Sequence, residues 1–210
     1  MLLGGAAASC SLLSAARDAG VRVVTTYGMS ETAGGCVYDG APLDGVRVSL
    51  QDGLIRLAGP VLASGYRLRP DLQALREGVF TTSDLGVLEP DGVLRVLGRA
   101  DDMIVTGGEK VAPLAVEAAL EQHPWVAEAG VVALPDAEWG QRVLACVVPV
   151  PSLPPVGLGE LRDHVAMTLP RSWAPRAVLV YDALPMLSSG KLDRRALRLE
   201  ASTRAGEMDT

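Results

Sequence analysis

Aromatic side chains are scarce: they make up 4% of the 210 residues, with a single phenylalanine. A surface that stacks nucleic-acid bases is therefore not expected. Basic charge is also short. The formal net charge of −6 argues against a nucleic-acid backbone as principal partner, although single basic residues can still hold one nucleotide. Cysteine is limited to Cys10, Cys36 and Cys146, without a CxxC pair, and the two histidines, His123 and His164, lack metal-ligand spacing. No zinc site is readable, and the cysteines read as free buried thiols in a reducing cytoplasm. Residues 1–8 are apolar but have no basic flank and are too few to span a bilayer, so neither a signal nor stable membrane insertion is expected. What remains is a cytoplasmic globular chain, 49% hydrophobic, long enough for one large or two small domains.

Texture changes along the chain. Residues 11–19 predict a short helix stopped by Gly20, and the β-branched run 21–25 predicts a buried strand that ends at a strand-to-loop junction at Tyr27-Gly28. Between residues 39 and 98, Gln51-Asp52-Gly53 and Glu89-Pro90-Asp91-Gly92 are hairpin signals, flanked by predicted strands at 46–50, 54–57, 87–88 and 93–97. Beyond Arg99 the pattern predicts a strand at 103–106, a helix from Pro113 to about residue 122, strands at 126–134 and 143–150, an amphipathic helix marked by Leu158, Leu161, Val165 and Leu169, and a last strand at 177–181. That order is a small βαββαβ-like α+β unit following antiparallel β structure. The tail after Leu199 reads as frayed.

Three segments carry chemistry-bearing residues. Tyr27-Gly28-Met29-Ser30-Glu31-Thr32 combines an aromatic ring, a glycine that permits close backbone approach, two hydroxyls and a carboxylate. A nucleotide needs such groups, but a helix-capping sequence would look the same. Asp84 offers a carboxylate that can accept two ribose hydroxyls at once; a turn-forming aspartate is the plainer reading. Gly98-Arg99-Ala100-Asp101-Asp102 leads into Gly107-Gly108, which an ordinary glycine turn also explains. Lys191 follows Ser188-Ser189-Gly190, and most such loop lysines are merely solvated.

In this order and separation the three segments resemble the adenylate-forming (AMP-binding) superfamily of acyl-CoA synthetases, peptide-synthetase adenylation domains and luciferases. The resemblance implies that Tyr27 packs on adenine beside Gly28, that Thr32 bonds the α-phosphate and that Glu31 helps coordinate Mg²⁺. It implies that Asp84 and Arg99 contact the ribose, that Asp101 is a hinge, and that Gly107 and Gly108 line the path of pantetheine. Lys191 is then the adenylation lysine, with one charge contact at ~4 Å and an effective dielectric of about 20 amounting to roughly 4 kcal/mol before desolvation. Asp193, Arg194 and Arg195 read as surface charges. Residues 27–40 are similar to the o-succinylbenzoate–CoA ligases of menaquinone synthesis.

The implied architecture is the end of a large α/β AMP-binding domain at 1–98, a hinge at 99–102, a mobile C-terminal α+β domain at 103–199 and a tail at 200–210. The Ser/Thr/Gly-rich phosphate loop that full family members carry upstream is absent from these residues, so the chain reads as a truncated or split synthetase, or one with a misplaced start. The expected activity is ATP-dependent joining of a carboxylic acid to CoA through an acyl-adenylate, with ATP, Mg²⁺ and CoA required. Another aromatic or medium-chain acid, or a catalytically silent piece, are the alternatives. A homodimer or a separate N-terminal portion would be the protein partner.

Overall fold

The computed structural model describes residues 1–6, 8, 10–68, 75 and 78–208. Two compact units divide the chain, one over Leu12–Asp101 together with the first strand, the other over Asp102–Thr210.

The first unit contains β1 (Leu2–Gly4), α1 (Cys10–Asp18), β2 (Val24–Met29), β3 (Gly34–Tyr38) and β4 (Ala41–Pro42), then β5 (Arg47–Gln51), β6 (Leu54–Ala58), β7 (Val79–Leu88) and β8 (Leu94–Arg99). Strands β1 to β4 form one sheet in that order, with β1 parallel to β2 and the rest antiparallel; β5 to β8 form a second, antiparallel meander. Cys36, Val37, Val46, Ile55, Leu57 and Leu94 form the shared core, with Tyr27 and Met29 packed against it. Two expectations shift. Val21 is exposed and the strand begins at Val24, so Tyr27-Gly28 lies inside β2 and not at its end. The strand expected at 87–88 is the end of a ten-residue β7. Its earlier part, Thr81-Thr82-Ser83-Asp84, is polar, but every second residue turns outward along a strand, so polarity alone did not preclude it.

The second unit contains β9 (Ile104–Thr106), β10 (Glu109–Val111), α2 (Pro113–Leu120), β11 (Val126–Asp136), β12 (Gly140–Pro149), α3 (Leu158–Val165), β13 (Ala177–Val180) and α4 (Arg194–Met208). Its main sheet has the order β11-β12-β13, antiparallel then parallel, and α3 lies in the crossover to β13. The expected first strand does not join this sheet; β9 pairs with β10 as a separate hairpin. Apolar residues on both faces of β11 explain the layering. Val131 and Ala133 face a cluster with Val116 and Leu120 of α2 and Leu161 and Val165 of α3, whereas Val132 and Leu134 face Leu197, Ala201 and Ala205 of α4. The expected frayed tail is therefore corrected: α4 runs to Met208 because Leu197, Ala201 and Ala205 recur at four-residue spacing and are buried. Asp209 and Thr210 lie outside the described residues. No described helix is long and apolar enough to cross a membrane.

Candidate nucleotide site and lysine turn

Strand pairing and one side-chain hydrogen bond bring three of the nominated residues together. Asp84 on β7 lies directly opposite Arg99 on β8, so their side chains project from the same face of the meander. From the other sheet, the Tyr27 hydroxyl donates to Asp84 Oδ2 at 2.8 Å. The Asp84 N–H in turn donates to the buried Thr82 hydroxyl at 3.0 Å. Burial, reinforced by the neighbouring Asp84 carboxylate, pushes the Tyr27 phenol far above its ordinary value, so it remains a donor. Tyr27 is thus held at both ends, its ring against the core and its hydroxyl on Asp84. Arg99 extends from the end of β8 and pairs with Asp101 at 3.1 Å in an exposed, weak contact.

Gly28 is required by the chain itself. A β-bulge between Tyr27 and Gly28 brings the Gly34 carbonyl so near that an added Cβ would lie 1.9 Å from its oxygen. Thr32 is 3% exposed, and its hydroxyl accepts the Met29 N–H at 2.9 Å while lying 2.6 Å from the Gly34 carbonyl oxygen. That hydroxyl ties the Ser30–Thr32 turn to the bulge and is committed to backbone, not open to solvent.

Glu31 sits beside a pocket of about 160 Å³ lined by Ser30, Ala63, Gly65, Tyr66, Arg67 and Leu75. Tyr66 donates its hydroxyl to Glu31 Oε1 at 2.6 Å, and this acceptor raises the Tyr66 phenol above its usual range. The Ala63 N–H donates to the Glu31 carbonyl at 2.8 Å, which fixes the turn from the other side. Tyr66 escaped sequence reasoning because 35 residues separate it from Glu31 and no periodic element links them. Among the described residues no cluster of three or more acidic, histidine or cysteine ligands exists. One carboxylate with a second oxygen still available fits Mg²⁺, which takes most of its ligands from phosphate and water.

In the second unit, Gly107 and Gly108 form the two-residue loop of the β9–β10 hairpin, with φ of 56° and 84°. Both central residues of such a tight turn need positive φ. A Cβ at Gly107 would also meet the Trp139 ring at 2.7 Å, whereas the position over Gly108 is open. Trp139 accepts the Gly107 N–H on its carbonyl at 3.0 Å, and Arg176 covers its ring at 4.0 Å. Lys191, one of only two lysines in the chain, is exposed on a turn closed by the Leu187 N–H donating to the Lys191 carbonyl at 2.8 Å.

The residues after Lys191 correct an expectation. Arg194 is not a surface charge: Nη1 and Nη2 reach the two Glu117 oxygens at 2.5 and 2.7 Å. Burial opposes the guanidinium charge, but Glu117 and then Asp102 outweigh it and hold Arg194 above its ordinary value. Asp193 caps α4, accepting the N–H groups of Arg195 and Ala196 at 3.1 and 2.9 Å.

Residues 115–191 match the AMP-binding enzyme C-terminal domain family. The chain is 52% identical over 202 residues to a probable 2-succinylbenzoate–CoA ligase from Mycobacterium tuberculosis, covering 94% of this chain and 52% of that one. It also matches o-succinylbenzoate CoA synthetase from Bacillus subtilis in complex with the acyl-adenylate intermediate OSB-AMP, with a TM-score of 0.80, 34% identity and coverage of 94% of this chain and 45% of that one. The same enzyme in complex with ATP and magnesium ion matches with a TM-score of 0.78, 34% identity and coverage of 94% and 46%. This chain is a member of the adenylate-forming, AMP-binding enzymes. The chain spans about half the length of the curated relatives it matches, 52% and 45% in two of them. Within the adenylate-forming fold, Tyr27, Asp84 and Arg99 share one constellation in the first unit, while Gly107, Gly108 and Lys191 lie on two exposed turns of the second.

Proposed function

We propose that this chain carries the adenosine-binding and C-terminal portion of an ATP-dependent acid–thiol ligase acting on o-succinylbenzoate in menaquinone synthesis. The observation that carries the reading is the Tyr27–Asp84–Arg99 arrangement: a ring held by its hydroxyl, with a carboxylate and a cation facing each other across two strands. A carboxylate so oriented can accept both ribose hydroxyls, and Arg99 adds a donor on the same face. Residues 1–98 then belong to the large domain, 99–102 to a hinge at Asp101, 103–199 to a mobile C-terminal domain and 200–210 to its end.

The reaction follows two displacements. A substrate carboxylate oxygen attacks the α-phosphorus of ATP, and pyrophosphate leaves as the acyl-adenylate forms. CoA thiolate then attacks the acyl carbon, and AMP leaves with the bonding electrons. Mg²⁺, when bound, neutralises phosphate charge, and Glu31 with its Tyr66-anchored carboxylate would hold it. Lys191 meets the charge that gathers on the α-phosphate and carboxylate during the first displacement. The hairpin at Gly107-Gly108 borders the approach of pantetheine in the second. We place the protein in the cytoplasm, with a homodimer or a separate N-terminal portion as its protein partner. Thr32 acts on the α-phosphate through the turn it braces, because its own hydroxyl is committed.

Titration calorimetry with AMP and with a non-hydrolysable o-succinylbenzoyl-adenylate tests the proposal. Both should bind, the adenylate more tightly, and Asp84→Ala should weaken both. No binding of either compound at millimolar concentration would remove its basis.

A further inference from the structure

The Lys191 turn is closed on itself by backbone bonds, from the Leu187 N–H to the Lys191 carbonyl and from the Asp193 N–H to the Pro185 carbonyl, and side chains anchor it to the rest of the unit at two points. Met186 pairs with Leu192 in an isolated bridge, and the residues between them are exposed, including Leu187 at 47%. Leu192 packs partly against the α4 side of the sheet and is an apolar anchor. An apolar contact sets how deep the turn sits, but it has no direction. The second anchor is polar and lies three residues beyond Lys191. Arg194 makes a fork-to-fork pair with Glu117 and a third bond from Nη1 to the Val131 carbonyl at 3.1 Å. Glu117, 6% exposed, is itself fixed, because Oε1 also accepts the Val131 N–H at 2.7 Å. On the opposite side, Arg194 Nε lies 3.7 Å from Asp102 Oδ2, just after Asp101 in sequence. One guanidinium thus joins α2, β11, the Asp102 segment and the start of α4.

We propose that Arg194 is the positioning residue of the Lys191 turn, orienting it on the sheet through Glu117 and joining it to the Asp102 segment. What Lys191 does chemically rests on the ligase reading; the anchoring does not. The planar fork fixes angle as well as distance, which a lysine or an apolar side chain at position 194 would not reproduce. Because the same side chain holds Asp102, a shift of backbone at residues 101–102 is felt at the base of the lysine turn.

The two lysines allow a direct test. Endoproteinase Lys-C cuts this chain only after Lys110 and Lys191, both exposed, so Lys110 is an internal reference. Arg194→Met alone would strand the buried Glu117 charge and destabilise the unit. The informative variant is Arg194→Met with Glu117→Gln, since Gln keeps an oxygen for the Val131 N–H. With rates normalised to those of the denatured chains, native nicking after Lys191 should rise about tenfold or more while nicking after Lys110 stays unchanged. Glu117→Gln alone should fall between wild type and the pair. Equal acceleration at both lysines would mean a general loss of stability, and an unchanged rate at Lys191 would mean that Leu192 suffices; either result overturns the proposal. No nucleotide enters the experiment, so its failure leaves the ligase reading untouched, and failure of nucleotide binding leaves this result untouched.

Discussion

Replacing Tyr27 by phenylalanine isolates one hydroxyl in the proposed nucleotide site. The ring, its packing and its face toward a base stay in place; the 2.8 Å bond to Asp84 Oδ2 is lost. A hydrogen bond to a charged acceptor contributes about 1.5–3 kcal/mol when sheltered. Asp84 is only half-buried, so water can replace part of that contact, and about 1 kcal/mol is the reasonable residue. The main consequence is orientational: without the phenol, the carboxylate is free to turn away from the face it shares with Arg99. AMP binding should weaken about fivefold, the equivalent of that 1 kcal/mol. Binding of 2′-deoxy-AMP should change less, because one of the two hydroxyls that reward a correctly oriented carboxylate is already missing. Titration calorimetry of both nucleotides against wild type and Tyr27→Phe measures the two losses, and thermal melting checks that the fold is intact. Equal losses for both nucleotides, or none for either, would refute the positioning argument.

Four further outcomes are expected. In a full-length enzyme bearing this segment, Lys191→Ala should slow pyrophosphate release by roughly two or three orders of magnitude while sparing thioester formation from supplied adenylate; equal damage to both steps would contradict the assignment. Gly107→Ala should destabilise the second unit by about 1–3 kcal/mol in denaturant titrations, since it meets both a positive φ and the Trp139 ring; Gly108→Leu, strained by its positive φ but free of clash, should cost less stability and hinder CoA attack more than adenylate formation. Burial raises the Glu121 carboxyl to about 7, well above the unfolded value of 4.5. Its contribution is therefore present below pH 4.5 and is lost as pH rises through about 7, some 1 kcal/mol after allowing for solvent at its exposed side. Glu121→Gln should flatten that part of the pH–stability profile, and an unaltered profile would exclude Glu121 as its source.

The βαββαβ order and the hairpin region were legible because strands such as β11 hold an apolar run, residues 129–135, and the turns carry Asp-Gly pairs. Asp84 and Arg99 could be named from the sequence, but not their exact opposition, which depends on the register of a strand that starts among polar residues at Val79. Tyr66 and Trp139 were invisible as partners because loop positions carry no period. Arg194 was misread for a different reason. Next to Asp193 and Arg195 it looks like part of a solvated charge run, and only the three-dimensional approach of Glu117 from 77 residues away reveals it as interior. The α4 continuation was readable in principle, from the Asp193 cap and the Leu197-Ala201-Ala205 stripe.

Cys36 and Cys146 are both 0% exposed, one in the core of each unit, and burial raises the Cys146 thiol to about 12. Thiolate is the form that reacts with disulfide reagents, so both groups are silent in the closed chain. With Cys10 replaced by serine, each unit retains one concealed thiol that becomes reactive only when that unit opens. Labelling rates at the two positions would then report two separate opening free energies from thiols the sequence already carries.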